Sequence, residues 1–454
     1  MPDIILLGAT GFTGRLITRY LSTHPQRGKF TWAIAGRSVP KLEALAKEVG
    51  LSTDVAIVQV DVTNASEVER VVKTARVIIN TVGPYHRWGT PVVRACVRHA
   101  VHYVDLTGET PWIREIIKEF DYAATKSGAI IVPSCGMDSV PSDISAYISN
   151  KTLKSALEER ENDGTGSSVT TSLTAFDFKG GVSGGTLSTM MVTMEEVDRQ
   201  DLSEASRPYS LSPVVGKHTP AFQALYRLAV PGEQPIVGGP FVMRGPNSAI
   251  VQRTFGLLEL EAMLRKTNTQ TLDSEVRARR ERYGPLFQYD EFMVTSSVPG
   301  ALLFSVAFVV TFMSLYALSP VRWLVKKFMP QPGEGPSDEA MKDGYLIGTN
   351  LTTSASNPPL QVKSVVRLKG DPGYLLTAAM ISESALSLLL PPRSSNSSAD
   401  STSYSAIPTL PLLAQKGGVL TPMTAFGDVL LKRLEDTGLF EFTSTVVTEK
   451  QKSV

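Results

Sequence analysis

Ile4-Ile-Leu-Leu-Gly8-Ala-Thr-Gly11-Phe-Thr-Gly14 decides the fold of this chain. An apolar run, glycines at three-residue spacing and then Leu16, Ile17 and Leu21 predict a short buried strand, a tight turn and a helix over about 14–21. Gly8 permits the turn, Gly11 removes the side chain that would hold off a pyrophosphate, and Gly14 lets helix and strand approach. The helix start adds unpaired N–H groups and a partial positive charge. Gly8, Thr10, Gly11, Phe12, Thr13 and Gly14 are therefore candidate dinucleotide contacts. An ordinary βα turn would use the same glycines, so the flanking units must decide.

Those units repeat. Residues 31–35 read as a second strand, followed by a helix bracketed by Pro40 and Gly50 with Leu42, Leu45, Ala46 and Val49 on one face. A third strand, 55–60, closes on Asp61, and a fourth, 77–82, closes on Gly83-Pro84-Tyr85. Thr90-Pro91 reads as the start of the next helix, and 102–106 and 129–132 as two more strands. Near-continuous β-branched runs fit strands covered on both faces. The fold class expected is α/β: a Rossmann-type, doubly wound parallel sheet over 1–150 with a second α+β domain.

Beyond 150 the pattern changes. Residues 158–168 are polar and Gly-rich and read as a linker, and 169–176 alternate like a half-exposed strand. Gly180–Thr186 is a small-residue segment leading into a helix through Met191 and Val197, and 275–282 reads as a solvated charged helix face. The expected division is 151–391 for a substrate or dimerisation domain, a Ser-rich disordered loop over 392–416, and a segment over 417–454 that returns to the core. Residues 298–318 carry no charge over a length able to cross a hydrocarbon core. Asp290 and Glu291 precede them and Arg322, Lys326 and Lys327 follow, which would put the C-terminal end in the cytosol. Three placements remain open: a single span, a re-entrant or surface-lying segment, and a helix buried in the core or a homodimer interface. The first would part the N-terminal half from everything after Pro320.

With 454 residues and a net charge of +1, the chain has room for two or three domains and no basic excess for nucleic acid. Two cysteines form no disulfide framework, and five scattered histidines show no metal-ligand spacing. No basic stretch precedes the first strand, so a cytosolic chain without a cleaved signal is expected.

An NAD-selective site places a carboxylate about twenty residues after the glycines. Here Arg37 and Ser38 stand after the second strand, suited to a 2′-phosphate, so NADP is the expected cofactor. Asp61 is placed for the adenine edge, and Asn80, Gly83 and Pro84 for the nicotinamide half of the crevice. Hydride transfer needs orientation and exclusion of water, with an acid to protonate the second atom. Tyr85, Asp138 and Ser139 are the candidates. Their alternative roles are packing for Tyr85 and helix capping for Ser139 and Asp143.

Gly8-Ala-Thr-Gly-Phe-Thr-Gly14, Gly83-Pro-Tyr85, Tyr103-x-Asp-x-Thr-Gly-Glu109, Gly136-Met-Asp-Ser-Val-Pro-Ser-Asp143 and Ser183-Gly-Gly-Thr186 together resemble the saccharopine dehydrogenase-like oxidoreductases. So do Gly370-Asp-Pro-Gly-Tyr374, Thr377-Ala-x-Met380 and Gly417-Gly-Val-Leu-Thr-Pro-Met-Thr-Ala-Phe-Gly427. The likeness is nearest to the branch with trans-acting enoyl reductases and a eukaryotic member of membranes and lipid droplets. It implies a Rossmann domain completed by an α+β domain, and NADP-dependent C=C reduction on a hydrophobic, lipid- or carrier-linked substrate at the cytosolic side of a membrane or droplet. The alternatives are reductive C–N bond formation of the saccharopine type, for which Lys179 and Arg244 are the nearest cations, and a non-catalytic NADP(H)-binding protein of a lipid surface.

Overall fold

The computed structural model describes residues 1–161, 168–181, 184–218, 222–267, 281–328, 333–393 and 406–447. Strands and helices alternate through the first part. They are β1 (Ile4–Leu7), α1 (Phe12–Ser22), β2 (Trp32–Gly36), α2 (Val39–Val49), β3 (Ala56–Gln59) and α3 (Ala65–Val72). Then come β4 (Val77–Asn80), α4 (Tyr85–Arg98), β5 (His102–Asp105), α5 (Thr110–Ser127), β6 (Ile130–Val132) and α6 (Val140–Glu161). The six strands pair in parallel in the order β6-β5-β4-β1-β2-β3. Strand order reverses between β1 and β4, which opens a crevice at their C-terminal ends.

β1 and β4 are buried throughout, as their unbroken apolar runs require. β3 differs: it is the sheet edge, with Ala56, Ile57 and Gln59 exposed. α4 also differs, beginning at Tyr85 and carrying Pro91 inside it. The physical reason is Glu109, whose carboxylate accepts the N–H groups of Tyr85 (2.7 Å) and His86 (2.9 Å) and so caps an earlier start.

The rest of the chain supplies β7 (Val169–Lys179), α7 (Gly184–Glu196), α8 (Arg199–Ala205), β8 (Tyr226–Leu228), β9 (Ile236–Gly239), α9 (Arg244–Thr267) and β10 (Gln288–Val294). After these come α10 (Val298–Ala317), α11 (Ser319–Phe328), α12 (Asp338–Lys342), β11 (Tyr345–Ser354), β12 (Gln361–Lys369) and α13 (Leu375–Ser387). The last elements are α14 (Leu412–Lys416), β13 (Gly418–Val419), α15 (Pro422–Ala425), α16 (Asp428–Glu435) and β14 (Phe440–Val446). A mixed sheet forms in the order β14-β12-β11-β7-β10-β9-β8, parallel only between β7 and β10.

The two sheets share their covering. α6 is buried without a break from Val140 to Asn150 and lies against β11, β12 and β14. It continues to Glu161, past the expected start of the linker, because Leu153 and Leu157 bury against Val251, Phe255 and Tyr289. α13 lies against α1, β4 and β5, and β13 adds to the first sheet beside β6. The linker's middle (162–167), most of the charged run (275–280), Ser183 and the Ser-rich stretch 394–405 lie outside the described residues.

The uncharged segment forms α10, capped by Ser297, whose hydroxyl accepts the N–H of Gly300. It is not a core helix. Only Ala301, Ser305 and Leu315 are buried, while Leu303 is 74% exposed. A single span is also incompatible with the fold. β10 before it and β11 after it both pair with β7, so opposite sides of a bilayer would tear one sheet apart.

Candidate functional site

The glycine turn has three different geometries. Gly8 sits at φ +84°, and a Cβ there would lie 2.6 Å from Thr81 Oγ1. A Cβ on Gly14 would lie 2.2 Å from the Gly8 carbonyl oxygen, so this glycine seats α1 on the turn. Gly11 is exposed, in extended backbone, and its Cβ would meet only that carbonyl, at 3.3 Å. No side chain caps α1, which leaves first-turn N–H groups open to an anion. Thr10 and Thr13 are half-buried there. The Phe12 ring instead stands edge-on to Tyr374 at 5.2 Å and fills the space beside Gly335, so its side chain is packing.

At the other end of this half, Arg37 is exposed and has no ion pair among the described residues, and Ser38, just before α2, makes no capping bond. Asp61 folds back on its own loop, accepting the Thr63 N–H (2.9 Å) and hydroxyl (2.8 Å). The Thr63 bonds, with the Arg37 charge beyond them, hold its carboxyl below the usual range. An open helix start, a bare Gly11 and an unspent guanidinium fit the pyrophosphate and 2′-phosphate of NADP.

Two residues expected along the nicotinamide half are placed otherwise. Asn80 is fully buried: it donates to the Tyr103 hydroxyl (3.1 Å) and accepts the Val82 N–H (3.1 Å), so its amide does not reach the crevice. Tyr85 gives its hydroxyl to the Asn80 carbonyl (3.0 Å) and packs its ring on Trp112. With its hydroxyl committed to a backbone carbonyl and its ring packed and buried, Tyr85 is a packing residue; burial also pushes the phenol above its usual range. Behind them Tyr103 donates to Asp105 (2.8 Å), which also accepts the N–H groups of Thr107 and Ser134 at 3.0 Å. Burial outweighs these donors and pushes Asp105 up to about 7. This chain ties the loops after β5 and β6 together. Gly83 and Pro84 lead into α4, with Thr189 of α7 above: a Cβ on Gly83 would lie 3.5 Å from Thr189 Oγ1.

The loop after β6 folds back through a Ser139 N–H to Ser134 carbonyl bond (3.1 Å), and α13 holds it through Met137 N–H to Thr377 Oγ1 (2.9 Å). Asp138 in this loop faces Gly108, where a Cβ would lie 3.0 Å from Oδ2. Its carboxyl has no hydrogen-bond partner among the described residues, and burial pushes it up to about 7. Ser139 Oγ is buried and unpartnered, so it caps nothing. Asp143 does not cap α6 either, accepting the Thr254 hydroxyl (2.6 Å) and the Met423 N–H (3.0 Å).

Glu109, Thr377 and Asp371 stand in the motifs that carry the family resemblance, but their structural roles are not legible there. Asp371 is buried and accepts the N–H groups of Gly181 (2.7 Å) and Tyr374 (2.8 Å), anchoring the approach to α7. Gly370-Asp-Pro-Gly373 announces a turn, but a partner 190 positions away leaves no local signal.

Residues 4–132 match the family model of the saccharopine dehydrogenase NADP-binding domain. A Mycobacterium tuberculosis protein provisionally named a trans-acting enoyl reductase is 32% identical over 96% of each chain. A trans-acting enoyl reductase of Mycobacterium bovis is 29% identical over 96% of each. Apo saccharopine dehydrogenase (L-Glu forming) of Saccharomyces cerevisiae covers 99% of this chain and all of its own at a TM-score of 0.46 and 13% identity, too distant to bear on chemistry. The chain thus belongs to the saccharopine dehydrogenase-like family, in its trans-acting enoyl reductase branch, and is an NADP-dependent oxidoreductase.

Proposed function

We propose that the chain reduces an activated C=C bond of a hydrophobic, lipid- or carrier-linked acyl substrate, with Asp138 as the proton donor. The observation that carries this reading is the unpartnered Asp138 carboxyl beside Gly108, at the C-terminal ends of β5 and β6. The full-length similarity to enoyl reductases supports the choice of bond.

When bound, NADPH supplies the hydride that reaches the β-carbon. The Gly8–Gly14 turn would hold its pyrophosphate and Arg37 its 2′-phosphate, and the buried Asn80–Tyr103–Asp105 chain keeps the ends of β4 and β5 rigid. Asp138 delivers its proton to the α-carbon, closing the C–H bond as the C=C π pair is consumed, and regains a proton from solvent. A carboxyl pushed up to about 7 by burial is protonated often enough near neutrality to act so. The saccharopine-type alternative asks for free cations to bind several carboxylates. Arg244 is committed to Asp290 at 2.5 Å, which tells against it.

We read α10 and α11 as the surface that rests on a membrane or lipid droplet from its cytosolic side, bringing the site to its substrate. α10 is twenty uncharged residues with its outer face bare. A second copy covering α10 is the competing occupant, told apart by light scattering of the detergent-free protein.

The test is NADPH oxidation with a medium-chain enoyl thioester. Wild type is expected to turn over, with kcat falling as pH rises through about 7 because the donor must be protonated. Asp138→Asn is expected to lose about 10²-fold or more in kcat and the pH dependence, with NADPH affinity unchanged. An unaltered Asp138→Asn rate removes its role. No turnover with any enoyl thioester, but turnover of an aldehyde with glutamate, moves the assignment to C–N bond formation.

A further inference from the structure

α7 is an unusual helix to find over the nicotinamide end of a cofactor crevice. Its sequence, Gly184-Gly-Thr-Leu-Ser-Thr-Met-Met-Val-Thr-Met-Glu-Glu196, opens on two glycines and continues with small, hydroxylated and Met side chains. Glycine weakens the first turn, and Met packs adaptably, so the helix has little intrinsic rigidity. Thr189 lies beside the Gly83-Pro84 turn, and Thr193, with Val197 just past the helix, lines a cavity shared with Glu109 and Trp112 of the neighbouring loop and α5. The approach to the helix is anchored by Asp371.

Its far end is held twice, by adjacent carboxylates that face different partners. Glu196 binds the first domain, pairing with Arg87 (Nε, 2.7 Å) and His86 (Nε2, 3.2 Å) at the start of α4. Glu195 binds α11, pairing with Lys326 (2.6 Å) and Arg322 (3.5 Å). Arg322 also donates to the carbonyls of Leu315 and Tyr316, the open C-terminus of α10. One charged link therefore joins the helix over the crevice to the exposed apolar hairpin.

The chemistry of that hairpin names what would compete for the link. No Asp or Glu occurs from 292 to 333, while Arg322, Lys326 and Lys327 do. Trp323, Leu324 and Phe328 are 63%, 50% and 76% exposed, and Lys327 stacks over Trp323 at 5.5 Å. Aromatic, aliphatic and basic side chains on one short helix beside a bare apolar one form an interfacial surface for anionic headgroups. Phosphate oxygens bind guanidinium and ammonium groups at least as well as one exposed carboxylate does.

We propose that α11 docks on anionic lipid headgroups and that this docking frees α7 from the crevice. Arg322 and Lys326 turn to phosphate and away from Glu195, the far end of α7 keeps its Glu196 hold while Asp371 still anchors the approach, and the crevice opens to an acyl chain at the surface where that chain is carried. The proposal rests on the membrane reading above and adds the coupling.

The test is hydrogen–deuterium exchange of the full chain, read at residues 184–196, with flotation in parallel. The probes are phosphatidylcholine vesicles with and without phosphatidylglycerol. Exchange of these amides is expected to rise about threefold or more on phosphatidylglycerol vesicles. Glu195→Gln, an exposed substitution, is expected to show the same rise in buffer and no further rise on vesicles. Flotation with no change at 184–196, or Glu195→Gln indistinguishable from wild type in buffer, overturns the coupling and leaves the membrane reading standing. Failure to float with either vesicle removes the membrane reading and this proposal with it.

Discussion

Three glycines of one motif do three different things, and the tertiary contacts tell them apart. Gly14 faces backbone at 2.2 Å, so Gly14→Ala forces α1 off the turn; overpacking of this kind costs about 1–3 kcal/mol and lowers the melting temperature. Gly11 has extended backbone and one close neighbour, the Gly8 carbonyl at 3.3 Å from its Cβ, so Gly11→Val is expected to lower the melting temperature less than Gly14→Ala does. Its isopropyl group nevertheless stands where the pyrophosphate must come, and calorimetry should find NADPH binding lost. Wild-type affinity in Gly11→Val would mean the phosphates do not approach there. The motif's period is visible in the sequence. Which glycine serves the fold and which the ligand is not, because the answer is the distance to the Gly8 carbonyl. The same holds for Tyr85 and Asp138: both residue types can give a proton, and only burial and partners separate the packed phenol from the free carboxyl.

At the scale of elements, periodicity located most helices and strands, and its failures have physical causes. α4 begins five residues before Thr90 because Glu109, from another loop, satisfies its first N–H groups. β3 is exposed because it is an edge, a property of strand order and not of composition. α10 forms where its apolar length indicated, yet length alone could not choose among span, surface and core. Its exposed face carries the next prediction. Leu303 and Val310 are 74% and 58% exposed, so Leu303→Asp with Val310→Asp removes little packing. The double variant should melt within a degree or two of wild type and keep NADPH affinity. Flotation with phosphatidylglycerol vesicles should be lost, since two charges on an inserted face oppose burial in hydrocarbon. Unchanged flotation would place the lipid contact elsewhere.

For the whole molecule, buried carboxyls set the pH dependence of stability. Burial pushes Asp105, Asp138 and Asp143 up to about 7 and Glu291 up to about 8. Each holds a proton in the folded chain that the unfolded chain releases near 4. Their contribution is therefore complete in acid and declines as pH rises toward 7–8. Glu383 has the opposite sign. Burial opposes its ionisation, but the Arg433 charge, with His24 and Tyr20, outweighs burial and holds it below the usual range. What it contributes is present above about 4.5 and lost as pH falls below. Scanning calorimetry should give a higher melting temperature at about pH 5.5 than at about pH 8. Glu291→Gln should flatten that slope, and an identical slope would mean Glu291 is ionised in the fold. The sequence by itself determined the parallel Rossmann sheet, the glycine turn between β1 and α1, NADP as the cofactor and the presence of an uncharged helix. These rest on local period, turn chemistry and residue type, which near neighbours in the chain dictate. Only the tertiary structure decided that α13 lies against β4 and β5, that the returning segment docks as β13 beside β6, that the uncharged helix lies bare on the surface, and which of the candidate side chains are spent on packing. Those outcomes depend on partners tens to hundreds of positions away, and the burial and distances that set them exist only once the two sheets have closed around α6.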